Sequence, residues 1–269
     1  MPELPDVELF RRYLDQTCKG RVIRHAAIND PKMVSGVASD AFAAQVEDAR
    51  IEGSRRHGKH LLVRLAPAGW ITMHFGLTGA LKHLVSTEAE PPYTRVRFDF
   101  ADGHHLAYIN LRRLGAVGLA ADADSFIAAE RLGPDALDPR FDVAAFERAL
   151  SARKRDIKSF LMDQNAIAGI GNLYSDEILF QARIHPKTRT DRLDPDARKR
   201  LFREIKNVLQ TAVERGSGAE LSREALPHSF LLPQRKKGGH CPCCGGEVRT
   251  AKFSGRTAYF CPHCQVEGG

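Results

Sequence analysis

A chain of 269 residues with 43% hydrophobic content has material for one large or two modest cores and is not composed like a disordered segment. Lys plus Arg exceed Asp plus Glu by 40 to 33, a formal net charge of +7 that suits an anionic partner. The start Met1-Pro2-Glu3 lacks the basic, apolar and small-residue segments of a secretory signal, and no apolar run approaches the roughly 18 residues of a membrane span, so the expectation is a cytoplasmic protein without a membrane partner.

Val7, Phe10 and Leu14 recur at helical spacing after Pro5, and Gly20 stands where that helix should stop. Cys18 is expected to be inert near its buried face. From Val22 to Leu119 the texture becomes β-rich, with runs at His60–Leu65, Trp70–Phe75, Thr94–Phe100 and Leu106–Leu111. Apolar residues alternate strictly through Arg95-Val96-Arg97-Phe98-Asp99-Phe100, as on a half-buried strand. This half reads as a β-sandwich. Gly133-Pro134-Asp135 and Asp138-Pro139 then punctuate the chain, and helices are predicted near 142–152, 155–164, 172–182 and 194–215. The fold class is therefore α+β in two domains, with boundaries drawn at 1–131 and 132–234 and a terminal hairpin at 235–269.

Of six cysteines, five lie between Cys241 and Cys264. Cys241-Pro-Cys-Cys244 and Cys261-Pro-His-Cys264 are two C-x2-C pairs at zinc-ribbon spacing, and Cys241, Cys244, Cys261 and Cys264 can close a tetrahedral site around one structural Zn²⁺. Cys243 and His263 fall inside the knuckles as non-ligands. The segment Arg249–Phe260, with Ser254-Gly255 as turn chemistry, should form a hairpin too small for a core, so metal would supply most of its folding free energy. Lys252 and Arg256 beside the turn suit phosphate. In Gly169-Ile-Gly-Asn172, glycines precede a helix whose expected cap is Asn172. Backbone amides there favour an anion, with Lys154 and Lys158 on the preceding helix adding charge. Pro2 becomes a terminal secondary amine once the initiator Met is removed, and such an amine can attack a sugar C1′.

The string Pro2-Glu-Leu-Pro-Asp-Val-Glu8 closely resembles the N-terminal signature of the formamidopyrimidine-DNA glycosylase and endonuclease VIII family. Gly58-Lys59, His74-Phe-Gly-Leu-Thr-Gly79, Arg112-Arg-Leu-Gly115, Leu132-Gly-Pro134, Ile157-Lys158, Gly169-Ile-Gly-Asn172 and the four-cysteine hairpin with Arg256 follow in family order. The resemblance implies a β-sandwich joined to a helix-two-turn-helix domain and a zinc finger, with DNA between them. It implies a bifunctional glycosylase and AP lyase of base excision repair that forms a Schiff base at Pro2 and completes β,δ-elimination. Glu3 would assist ring opening and proton transfer, and Lys59 would contact phosphate and aid catalysis. Lys158, Asn172 and Arg256 would grip phosphates with help from Lys154, and Arg256 counts among the catalytic set. His74 belongs to the DNA-contacting set, and Leu77, Arg113 and Leu114 match the trio that fills the gap left by the extruded nucleotide. Asp6 replaces the usual Glu, Leu77 and Leu114 replace Met and Phe, and 216–234 shows no match to the loop that caps 8-oxoguanine. Ring-opened purines and oxidised pyrimidines are therefore expected ahead of that base. The implied partner is double-stranded DNA carrying oxidised lesions or abasic sites, met by a monomer at the nucleoid. The alternative is a catalytically silent binder of damaged DNA with the same fold.

Overall fold

The computed structural model describes residues 2–67, 69–85, 87–216, 222–253 and 255–266. Expectations resting on Met1, on Ser254 of the hairpin turn and on 217–221 lie outside the described residues. The chain divides into two compact units, Met1–Arg131 and Leu132–Gly216 with Leu221–Gly269.

The first unit starts with helix α1 (Leu4–Cys18), continues with β1 (Ile23–Ile28), β2 (Val34–Ser35), α2 (Ser39–Val46), β3 (Arg50–His57), β4 (His60–Ala66), β5 (Trp70–His74), β6 (Gly79–Val85), β7 (Thr94–Phe100), β8 (His104–Asn110) and β9 (Ala116–Ala120), and ends with α3 (Ala123–Ala129). Two sheets form, in the orders β2-β9-β5-β4-β3 and β1-β7-β8-β6, antiparallel except where β2 meets β9. The alternation in β7 is realised: Thr94, Val96, Phe98 and Phe100 are buried while Arg95, Arg97 and Asp99 are half-exposed. Val7, Phe10 and Leu14 of α1 pack with Leu61, Val63, Met73, Phe98 and Tyr108 from both sheets in one apolar cluster, the core of the sandwich. Cys18 joins it, and burial pushes its thiol up to about 11, which leaves it inert. Helices α2 and α3 escape a β-rich reading because each is only two turns long. Phe42 and Val46, four apart, anchor α2, and Asp122 caps α3 by accepting from Ser125 N at 2.8 Å.

Where β5 and β8 end, glycines let two loops touch. A Cβ at Gly76 (φ +58) would strike the Leu114 carbonyl, and one at Gly115 would strike the Tyr108 hydroxyl and the Asn110 amide. Tyr108 Oη donates to His74 O at 2.7 Å, and Asn110 Nδ2 donates to Phe75 O at 3.1 Å, so the corner is tied from below by fully buried side chains.

The second unit holds α4 (Val143–Ser151), α5 (Ile157–Met162), α6 (Asn172–Gln181), α7 (Pro195–Arg215) and a hairpin of β10 (Arg249–Phe253) and β11 (Arg256–Phe260). Asp142, Asp156 and Asp194 cap α4, α5 and α7, accepting from Ala145 N, Ser159 N and Ala197 N at 2.7–2.8 Å. For α6 the expectation is corrected: Gly171 is the cap and Asn172 the first helical residue, because Gly169 (φ +114) and the extended Gly171 make the turn without a side-chain cap. Tyr174 through Phe180 are all buried, so α6 is a central helix with Ser175, Asp176 and Glu177 under cover. Each must find partners inside the protein. Glu177 accepts from Leu231 N (3.1 Å), Leu232 N (2.8 Å) and Gln181 Nε2 (2.8 Å), anchoring the segment before the hairpin. Among the described residues no helix is long and apolar enough to cross a membrane.

Two outcomes follow. Gly115→Ala should lower stability by about 1–3 kcal/mol through overpacking against Tyr108, read as a fall in thermal midpoint; an unchanged midpoint would show that the corner yields freely. Burial holds the Glu177 carboxyl up at about 7, against an ordinary value of 4.5. Its contribution to stability is therefore complete below pH 4.5 and is lost as pH rises through 7, on the order of 3 kcal/mol. Denaturant titrations of Glu177→Gln should show that the wild type loses ground to the variant across this window.

Candidate nucleic-acid interface

The start of α1 is built by reciprocal capping. Glu3 and Asp6 form a capping box in which Asp6 Oδ2 accepts from Glu3 N at 2.7 Å, a reach that suits the short Asp side chain at this position. Pro5 occupies the first turn, Glu3 is fully buried and Pro2 half-buried. Burial, with Glu3's charge adding to it, lifts the Asp6 carboxyl to about 6 against the opposing hydrogen bond from Glu3 N. One turn later, Glu8 accepts from Arg11 and from Arg56 Nε at 3.1 Å, and these cations hold its carboxyl below the usual range despite burial. Arg56 also donates to Gly58 O at 3.2 Å. One guanidinium thus lashes the β3–β4 turn, where Lys59 follows Gly58, to the first helix. Lys59 is felt by both nearby imidazoles: burial first and then Lys59 depress His74, while burial, His74, His57 and Lys59 hold His60 near 3. Both rings stay neutral donors and acceptors.

His74 ends β5, and its Nδ1 accepts from Gly76 N at 3.3 Å. The loop beyond it presents Leu77 half-buried, and the facing loop presents Leu111 and Leu114 at 50% and 56% exposure. An apolar residue that a fold leaves half in water has another use or none. Arg113 adopts φ +55, a left-handed conformation uncommon outside glycine, and its Nε lies 2.7 Å from Asp30 Oδ2. Asp30, 6% exposed, also lies 3.7 Å from Arg95. The sequence reading missed two residues here. Asp30 holds Arg113 back against the sandwich, and Arg112, exposed and with its backbone N–H on Thr78 Oγ1, is the neighbouring cation at the tip. Their only sequence signal was the Arg-Arg pair itself.

In the second unit, Lys158, expected to add charge beside the glycine turn and grip phosphate, does not stand at the surface. It is fully buried, and its Nζ donates to Asp176 Oδ1 (2.6 Å), Ser175 Oγ (2.8 Å) and Asn172 O (3.3 Å). Desolvation of a lysine is tolerable only with such partners, and here they bind it to the turn it was expected to supplement. Lys154 is exposed but lies between α4 and α5, not on a helix. Asn172 is half-buried, and its Oδ1 has no hydrogen-bond partner among the described residues. Arg256 opens β11 on the exposed side of the turn, next to Gly255 (φ +77), with Nη1 3.6 Å from Met162 Sδ at the end of α5.

The Sγ atoms of Cys241, Cys244, Cys261 and Cys264 all lie within 4.8 Å of one another, with Cys241–Cys264 at 3.7 Å and Cys244–Cys261 at 3.5 Å. Ligands at about 2.3 Å from a tetrahedral Zn²⁺ stand about 3.8 Å apart, so the set fits. Cys243 is exposed and outside the group.

Residues 1–117 match the formamidopyrimidine-DNA glycosylase N-terminal domain and residues 132–223 the H2TH domain of the same enzymes. Formamidopyrimidine-DNA glycosylases of Heliobacterium modesticaldum and Pelotomaculum thermopropionicum are 34% and 32% identical, each over 98% of this chain and 100% and 99% of their own length. Among solved structures, wild-type Lactococcus lactis Fpg (MutM) in complex with N7-benzyl-Fapy-dG DNA has a TM-score of 0.90 at 27% identity, covering 99% of this chain and 100% of that one. The Lactococcus lactis Fpg complex with abasic-site DNA gives 0.89 at 27% identity, with 98% and 100% covered. With both domain signatures matched in order and relatives aligned from end to end, the chain belongs to the formamidopyrimidine-DNA glycosylase and endonuclease VIII family of DNA repair proteins.

Proposed function

We propose that the protein is a bifunctional DNA glycosylase and AP lyase that removes oxidised or ring-opened bases through a Schiff base at Pro2. The observation that carries this reading is the construction at the start of α1. Glu3 is fully buried beside a half-buried Pro2, Asp6 closes the turn from within, and Arg56 binds the Lys59 turn to the same helix. With Met1 removed, the neutral Pro2 nitrogen attacks C1′ of an extruded nucleotide, the base departs with the C1′–N bond's electrons, and opening of the sugar ring leaves an iminium. Glu3 protonates the ring oxygen and later shuttles protons. Asp6 holds the Glu3 backbone from within the turn, and Lys59 steadies the adjoining phosphate. β,δ-Elimination then releases the sugar fragment and breaks the strand on both sides.

Binding to double-stranded DNA is assigned to Asn172 and Arg256 on the second unit, with Lys154 beside them and Lys158 acting from beneath the turn. On the first unit, His74, Leu77, Arg112, Arg113 and Leu114 complete the contact set. Leu77 and Leu114 fill the gap in the stack with aliphatic volume and no ring, a reason to place ring-opened purines and oxidised pyrimidines before 8-oxoguanine. Lactococcus lactis Fpg, solved with abasic-site and N7-benzyl-Fapy-dG DNA, and MutM, solved with carbocyclic 8-oxo-G DNA, support damaged DNA as the partner. The metal is assigned as one Zn²⁺, which offsets two of the four thiolate charges and folds a hairpin with only a small apolar cluster of its own.

Borohydride is expected to trap the processed protein covalently on abasic DNA, whereas protein retaining Met1, whose Pro2 nitrogen is an amide, should bind but give no adduct. Equal trapping by the two forms would remove Pro2 as nucleophile, and binding without any adduct or strand cleavage would identify a silent damage binder. Atomic spectroscopy should find one zinc per chain, and Cys264→Ser or exhaustive chelation should weaken duplex binding by at least about tenfold, since Arg256 loses its support. Full affinity in metal-depleted protein would count against the hairpin as a DNA contact.

A further inference from the structure

Asp176 is 1% exposed, on the first turns of α6, and takes donors from three separate elements. Lys158 Nζ of α5 donates to Oδ1 at 2.6 Å, while Arg235 Nε (2.8 Å) and the Tyr259 backbone N–H of β11 (3.2 Å) donate to Oδ2. Arg235 opens the basic Arg235-Lys236-Lys237 run, yet its side chain is only 9% exposed. Its guanidinium stacks 4.5 Å from the Tyr259 ring and donates to Thr257 O at 3.3 Å, one residue beyond Arg256. On the other side of the carboxylate, Lys158 reaches Asn172 O. The two candidate phosphate contacts, Asn172 and Arg256, are thus joined through a single buried carboxylate. Two cations on one anion leave the node net positive, beneath the amides of the Gly169–Asn172 turn.

We infer that Asp176, acting with Arg235, is a positioning residue that sets the spacing between the Asn172 turn and the Arg256 hairpin so that both meet phosphates of one duplex. The inference rests on the DNA grip proposed above and adds the element that makes its two halves act together. Metal folds the hairpin, and Cys241, Val248 and Cys261 pack on Phe180 of α6, but apolar packing is not directional; the Asp176 node adds direction, through main-chain and guanidinium donors whose geometry is rigid.

The test uses full-length zinc-loaded protein and a short duplex bearing a tetrahydrofuran abasic analogue, with affinity measured across a salt series. Asp176→Asn removes the node's anion and leaves its two cations unbalanced. Because it leaves Lys158 buried beside a neutral partner and can unfold the unit, Arg235→Gln serves as the second variant, keeping the Lys158–Asp176 pair. Arg235→Gln should retain its zinc, bind about tenfold more weakly and lower the slope of log affinity against log salt by about one phosphate contact. Adding Arg256→Ala to it should cost far less than Arg256→Ala costs alone, because the hairpin contact is already lost. A salt slope equal to wild type, or a full additive loss in the double variant, would overturn the positioning role. Arg256→Ala and Asn172→Ala each binding like wild type would instead remove the grip itself, an outcome separate from a strong grip that is indifferent to Arg235.

Discussion

A carboxylate taken out of water must be paired on nearly all its lone pairs or it destabilises the fold by several kcal/mol. The protein uses this constraint as its fastening device. The segments assigned to the chemistry have little of their own to hold them: a chain start, a β-turn and a hairpin of two five-residue strands. Each is tied down by a buried acid whose lone pairs call for donors from elsewhere. Glu8 holds Arg56 and through it the Lys59 turn; Asp30 holds Arg113; Asp176 holds Lys158, Arg235 and the backbone of β11; Glu177 holds the chain at Leu231 and Leu232. Because unpairing Glu8, Asp30 or Asp176 leaves a charge in low dielectric, and unpairing Glu177 leaves the Leu231 and Leu232 amides without their acceptor, the geometry they impose is stiff.

The same arrangement separates cations that reach solvent from cations that serve the fold. Arg56, Lys158 and Arg235 look in sequence like any other basic residue, yet their side chains are 8%, 0% and 9% exposed. Arg112, Lys154 and Arg256 are exposed. A net charge of +7 therefore overstates what a phosphate backbone meets directly and understates how far the exposed cations are oriented from beneath. For a DNA-binding protein this matters, since attraction at long range needs only charge, whereas register along the backbone needs fixed directions.

Close backbone approach does for the loops of the first unit what buried acids do elsewhere. Gly76 and Gly115 let the Leu77 and Leu114 loops lie against each other over Tyr108 and Asn110, so that apolar side chains stand in water on a rigid base. The left-handed Arg113 puts one of the backbone's uncommon conformations at the tip of this loop. In the second unit, the Gly169 turn likewise brings the backbone into α6 through glycine, with Gly171 as the cap residue.

Periodicity and short-range chemistry were enough to read the elements that repeat or punctuate: the amphipathic α1, the alternating β7, the capped α4, α5 and α7, and the two C-x2-C pairs, whose tight turns bring ligands together locally. The ordered motifs identified the family because they span the chain. What no stretch of sequence contained was which polar residues face inward. The short α2 and α3 left too little period to notice, Gly171 displaced Asn172 as cap, and Lys158, Arg235, Asp30 and Arg56 were committed to partners 18, 59, 83 and 48 positions away. Local spacing reports the face a residue occupies on its own element; whether that face meets solvent or another element is settled only when distant segments pack, and for a charged side chain that difference decides between touching the ligand and aiming the residue that does.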